Sequence, residues 1–347
     1  MRHSSLSGVH PSMAHFLARR LLLQFLVFAG VLVLTFLISH TVPGDPALLR
    51  AGPRASAETI AKIRQDMGLD RPLPVQLWVY VRDLLRGDLG TSILTQRPVV
   101  QDIIDHFPAT FELTTASLLV VIVIGIPLGV LSAVQKDRLP DHISRVIAIS
   151  GVSLPVFWLG LVLIYVFFVR LGWLPGTGRL DIGVEPPAAV TGLYVIDALA
   201  TRNWEALGSA LRHLFLPVLL LSYVSLAPVV RMVRSSMLEI LGQDYIRTAR
   251  AKGLAERHII YRHALRNALI PTLTIVGLSY GTLLQGAVVT ETIFAWPGMA
   301  YYAVGSMTYL DYPAVVGITL VSALIYSSVN LIVDLLYGVV DPRIRYD

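Results

Sequence analysis

Six stretches without a single charged residue constrain this chain more than any other feature. They occupy about residues 21–38, 113–134, 146–169, 214–230, 268–289 and 314–333. Each is close to the ~20 residues that carry a helix across a ~30 Å hydrocarbon core. Packing six such helices inside a soluble protein is the alternative, and nothing else in the chain supports it. The expected fold class is therefore an all-α integral membrane protein with six transmembrane helices.

Composition agrees. Of 347 residues, 54% are hydrophobic and 15% charged, against about 25% charged in an average soluble domain. Cysteine is absent, which removes disulfide frameworks, zinc ribbons and thiol nucleophiles. The first run follows Arg19 and Arg20, as a signal peptide's apolar core would. Its length, and the poor cleavage context SHTVPGDP after it, predict an uncleaved anchor.

Lysine and arginine set the orientation, because they accumulate in short cytoplasmic loops. The N-terminus carries Arg2, Arg19 and Arg20, and the 2–3 loop Lys136, Arg138 and Arg145. The 4–5 segment has Arg231, Arg234, Arg247, Arg250, Lys252, Arg257, Arg262 and Arg266, and the tail Arg343 and Arg345. The 5–6 segment, about 290–313, has none. Both termini are expected in the cytoplasm of a bacterial inner membrane. Residues 1–12 read as a flexible N-terminus and 13–347 as a single transmembrane domain. Within that domain, 41–107 lies outside the membrane on the far side.

This outer segment reads as ordered. In SAETIAKIRQDMG, Ser56 caps a helix, Ile60, Ile63 and Met67 share a face, and Gly68 marks the stop. RPLPVQLWVYVRDLLRG repeats the design, with Leu77, Val81, Leu84 and Leu85 on one face and Gly87 at the end. Inside the spans, Pro127, Pro155, Pro217 and Pro228 predict kinks.

Several chemistries are missing. No G-x-x-x-x-G-K-[ST] loop surrounds Lys62, Lys136 or Lys252, so nucleotide phosphates have no such cradle here. No H-E-x-x-H or G-x-S-x-G occurs, and no metal, catalytic or nucleic-acid site is expected. The carboxylates nearest the spans, Glu112 and Asp334, fall at span ends, where charge costs little. The spans carry neutral polar residues instead. Gln285 and Asn330 are the candidates to line a passage, because burying a primary amide without a partner is costly.

The stretch DYIRTARAKGLAERHIIYRHALRNALIP, residues 244–271, stands apart. Placing the eight Lys/Arg of the 4–5 segment at the bilayer centre would cost on the order of 20 kcal/mol, so it must face water. Thr248, Ala249 and Ala251 favour or tolerate helix, Gly253 breaks it, and AERHIIYRHALRNAL resumes it. A solvated loop has no need of that punctuation, whereas a docking element does.

These residues resemble the cytoplasmic EAA loop of ABC-transporter permease subunits, whose pattern is E-A-A, three residues, then Gly. Here the register reads Arg247-Thr248-Ala249, then Gly253. The later I-x-L-P falls on His263-Ala264-Leu265-Arg266, a departure shared with the branch that carries dipeptides, oligopeptides and nickel. PGDP (43–46), GLDRPLPVQ (68–76), GDLGTS (87–92), PATFELT (108–114), GIPLGVLSA (125–133), ETIFAWPGM (291–299), LDYP (310–313) and DPRIRYD (341–347) resemble blocks of that branch, most like its B-type subunit.

The resemblance implies a non-catalytic permease subunit of an ATP-driven importer of dipeptides or oligopeptides. Nickel-chelate or glutathione import is the rival within the family, and a stand-alone secondary transporter or channel the rival outside it. The implied partners are a second homologous permease subunit, two cytoplasmic ATPase subunits that bind ATP and Mg, an extracytoplasmic substrate-binding protein, and membrane lipid. This chain itself would bind no cofactor. Within the coupling loop, about 233–267, the implied ATPase contact is Tyr245, Arg247, Thr248, Ala249, Arg250, Lys252 and Gly253. Trp296, Pro297 and Gly298 read either as a turn with an interfacial Trp or, following the resemblance, as the external mouth.

Overall fold

The computed structural model describes residues 13–41, 46–52 and 54–340, and among them every element of regular structure is helical. Five stretches are long and apolar enough to cross a bilayer. They lie in α1 (Met13–Thr41), α5 (Val99–Val134), α9 (Trp204–Leu241), α11–α12 and α15 (Tyr312–Val340). In the fourth, α11 (Glu256–His258) runs through a π-helical turn at Ile259–Ala264 into α12 (Leu265–Gly286).

The run expected as one straight third span is broken. α6 (Leu139–Ser153) and α7 (Val156–Leu163, continued by a π-helical turn to Arg170) meet at 104°. Pro155 is the cause. It brings no amide hydrogen to the helix ladder, and it drives its predecessor out of the helical region. Leu154 accordingly sits at φ −83°, ψ 133°. At 1.5 Å per residue neither limb reaches across ~30 Å alone; taken as one bent span, the pair brings the count to six.

α5 and α9 lie side by side, running in the same direction, at the centre. Between lipid-exposed helices there is no hydrophobic drive, so close backbone approach and hydrogen bonds hold the pair. Gly129 allows that approach, since a Cβ there would stand 2.6 Å from the Cβ of Val233. α12 packs on both members of the pair, α15 packs antiparallel on α12, and α1 docks on α15. Gln24 of α1 donates from Nε2 to the Ser327 carbonyl at 2.9 Å. α1 otherwise presents Leu22, Phe25 and Leu26 outward, as lipid contact requires.

The outer segment folds much as its pattern predicts. In α3 (Ala57–Asp66), the Ser56 hydroxyl accepts from the Thr59 amide at 3.2 Å, and Gly68 turns at φ +67°. α4 (Leu73–Leu84) presses Leu77, Val81 and Leu84 against Leu32, Val316 and Leu320. Leu85 departs from the predicted face and is 82% exposed, with Tyr80 taking its place in the cluster. Leu85 caps α4 rather than continuing it, so the 3.6-residue period no longer governs its direction. Two short helices, α2 (Pro46–Ala51) and α8 (Tyr194–Ala200), complete the loops at this end.

At the opposite end Asp141, fully buried, ties three helices together. Its oxygens accept from Arg234 Nε (2.8 Å) and an Arg234 terminal nitrogen (2.9 Å), from Ser132 (2.6 Å) and from the Asp137 amide (3.0 Å). The end of α5, the start of α6 and the last part of α9 are thus held by one carboxylate. Arg234→Met leaves that buried charge without its main partner and is expected to destabilise the protein by on the order of 3 kcal/mol. Thermal unfolding of the purified protein in detergent measures it.

Candidate functional site

The basic stretch folds as a short helix on a stem. α10 (Asp244–Ala251) puts Ile246 and Ala249 inward, three residues apart, into a cluster with Val233, Met237 and Ile240 of α9 and Ile259, Ile260, Ala264 and Ala268 beyond it. Tyr245, Arg247, Thr248, Arg250 and Lys252 face outward. α10 ends in a Schellman turn: the Gly253 amide donates to the Arg250 carbonyl (2.9 Å) and the Leu254 amide to that of Ala249 (3.4 Å). Gly253 makes this possible at φ +76°, a conformation costly for residues with a Cβ.

The exposed cations are not equivalent. Arg250 makes a two-pronged pair with Glu256 (2.7 and 3.1 Å), clamping α10 to α11. Arg247 pairs loosely with Asp244 at 3.2 Å, both strongly exposed. Lys252 has no carboxylate partner among the described residues. The Tyr245 hydroxyl accepts from Asn267 Nδ2 at 2.8 Å, which fixes its ring over the base of α12. Four of the seven expected contact residues therefore also hold the loop in shape: Tyr245, Ala249, Arg250 and Gly253.

At the other end, the segment ETIFAWPGM packs inward. Trp296 is 1% exposed, and its indole nitrogen donates to the Ala109 carbonyl at 2.9 Å. The reading of an interfacial Trp is thus corrected, because a buried ring with a satisfied N–H has no need of the headgroup layer. Pro297 and Gly298 lead into α14 (Met299–Thr308). Glu291, in α13 (Val288–Ile293), is fully buried and turns its carboxylate onto the start of α14. It accepts from the amides of Ala300 and Tyr301 and from the Thr110 hydroxyl (2.7 Å), and Thr110 in turn accepts from the Met299 amide. A side chain at position 298 would collide with that carboxylate.

Nearby, Glu112 is not a solvated interfacial carboxylate but a buried ion pair. Arg179 lies 2.5 Å from it, and the Arg179 guanidinium stacks 3.6 Å from the Tyr194 ring centre. Of the passage candidates, Asn330 is half-buried on α15 opposite Gly281 of α12, and its Oδ1 has no hydrogen-bond partner among the described residues. The side chain of Gln285 lies outside the described residues, as does that of Asp334. Other span polar groups bond across helices, Thr115 with Tyr280 (2.9 Å) and Tyr223 with Ser150 (2.6 Å).

The sequence profile of the "binding-protein-dependent transport system inner membrane component" matches residues 125–346. The companion N-terminal profile of these membrane components matches residues 13–114. The chain belongs to this family of ABC-transporter permeases. Among similar proteins is the probable D,D-dipeptide transport system permease protein DdpB of Escherichia coli K12, 55% identical over 92% of this chain and 94% of that one. The dipeptide transport system permease protein DppB of the same strain is 43% identical over 96% and 99%. The glutathione transport system permease protein GsiC of Salmonella choleraesuis is 39% identical over 96% and 100%. This permease stands with the dipeptide branch. It is a multi-pass membrane subunit of a transport complex that includes an ATPase and a binding protein.

Two features of the permease escaped sequence reasoning. The Glu112–Arg179 pair joins residues 67 apart, and no local spacing announces it. The Glu291 cap joins Thr110 to Glu291 across 181 positions; the E of ETIFAWPGM was its only trace. Burial pushes the Glu291 carboxyl up to about 7, against the Thr110 and amide donors that pull it down. The folded permease therefore binds a proton that the unfolded chain releases between the ordinary carboxylate range and pH 7. This group's contribution to stability is complete below that range and is lost as pH rises through 7. The melting temperature of the wild type is expected to fall between pH 5.5 and 8 more than that of Glu291→Gln, read by thermal unfolding in detergent.

Proposed function

We propose that this permease forms half of the passage of an ATP-driven importer of dipeptides or short oligopeptides, with a second homologous permease as the other half. An extracytoplasmic binding protein delivers substrate at the end bearing α3, α4 and α14. Two cytoplasmic ATPases, which bind ATP and Mg, engage α10 at the opposite end. Both chain termini lie in the cytoplasm, following the basic residues of the 2–3 and 4–5 loops. Trp296, Pro297 and Gly298 shape the outer mouth from within its core, and Asn330 and Gln285 line the passage. The peptide substrate is supported by relatives named for dipeptide transport; glutathione, itself a peptide, belongs in the same substrate panel.

One observation carries the coupling role. α10 offers Arg247, Thr248 and Lys252 outward while Ile246 and Ala249 are buried against α9 and the base of α12. A partner that moves α10 must move those helices too, because packed side chains transmit displacement rather than absorb it. ATP then drives the permease pair between inward-open and outward-open states, provided that ATP favours one of them. Arg247, Arg250 and Lys252 are the cations able to meet acidic groups on the ATPase, Arg250 by exchanging its exposed pair with Glu256.

A β-branched residue at position 253 strains the left-handed turn by about 1–2 kcal/mol, with no neighbouring atom in the way. In the intact complex, Gly253→Val is expected to lower peptide uptake and substrate-stimulated ATPase activity by about tenfold while basal ATPase activity persists. Uptake assays and phosphate release on reconstituted complex test this. Normal uptake with normal stimulation would remove α10 from the coupling path.

A further inference from the structure

A cavity of about 580 Å³ opens between α4, the end of α3, the end of α1 and the start of α15. Leu73, Gln76, Tyr80 and Asp83 of α4 all line it. They fall on one helix face, so the cavity is a trough about 15 Å long at 1.5 Å per residue. Its floor is apolar and aromatic: Phe36, Tyr80, Tyr312 and Val316, with the Phe36 and Tyr80 ring centres 6.1 Å apart. Its ends carry opposite charge. Arg64 and Arg71 stand where α3 hands over to α4, while Asp83 and Asp88 stand at the far end of α4.

We propose that this trough is a peptide-receiving site on the permease itself, holding an extended short peptide with free termini. This rests on the peptide reading above and adds a site for it. The peptide carboxylate meets Arg71, its ammonium meets Asp83 and Asp88, and its apolar side chains lie on the aromatic floor. At about 3.3–3.6 Å per extended residue, four to five residues span the trough. A zwitterionic phospholipid has the same charges on an apolar body, but its ammonium and phosphate are separated by only two carbons and cannot reach both ends.

Arg71, Asp83 and Asp88 are placed for exchange. Among the described residues Arg71 has no carboxylate partner and Asp88 no cation. Asp83 meets only its exposed neighbour Arg82, at 2.8 Å, a kind of pair that contributes little. Gln76 Nε2 donates to the Arg71 carbonyl at 2.7 Å, which holds that turn against α4.

The test uses the whole transport complex in nanodiscs without its binding protein, probed with radiolabelled penta-alanine in free, N-acetylated and C-amidated forms. Wild type is expected to bind the free peptide, and each blocking group to weaken binding about tenfold. Asp83→Asn is expected to abolish the penalty for acetylation only, and Arg71→Gln that for amidation only. Equal binding of all three peptides, or variants indistinguishable from wild type, would overturn the site. So would native mass spectrometry showing a phospholipid retained by wild type and lost from Arg71→Gln. Peptide uptake by the same complex with its binding protein separates the two claims. Normal uptake without penta-alanine binding overturns the trough alone, whereas absent peptide uptake overturns both.

Discussion

Everything in this permease is referred to the close parallel contact of α5 and α9. Gly129 against Val233 brings the two backbones together, and packing of this kind must replace the hydrophobic drive that lipid withholds. Polar clamps then tie neighbouring elements to the pair at both ends. Asp141 with Arg234 joins α5, α6 and α9 at the cytoplasmic end in the proposed orientation. Thr110 of α5, through Glu291, fixes the α13–α14 turn at the other. Buried carboxylates are costly alone, and here each is surrounded by donors.

That design separates mobile tasks from rigid ones. α10 is small, exposed and basic, yet its two buried side chains make it continuous with the stem of α9 and α12. The bent span of α6 and α7 touches the central pair from the side and owes its break to one proline. At the far end, α3 and α4 lie across the ends of α1 and α15 and leave a charged trough rather than a closed core. Force enters at one end in this view and substrate at the other, with the α5–α9 pair between them.

Much of this was legible in residue order. Ser56 and Gly68 bounded α3 as written, and Gly253 stopped α10 where its pattern required. Such signals are local: a cap or a left-handed turn involves residues within a few positions of one another. The misreadings share one origin. One of two readings made Trp296 interfacial, Glu112 was placed at a span end where charge costs little, and Leu85 was placed inward, because each was judged from its neighbours in sequence. Partners 187 and 67 positions away settled the first two.

The sequence alone determined the membrane class, the number of apolar runs, the charge bias between the two sides and the punctuated basic helix. Each follows from chain-local physics: transfer of side chains into hydrocarbon, and backbone preference at Gly and Pro. Only the tertiary structure decided that α5 and α9 run parallel, that Arg250 pairs with Glu256, that Glu291 caps α14, and that α4 faces a trough. Those outcomes depend on distances between residues far apart in the chain, and no periodicity encodes such distances.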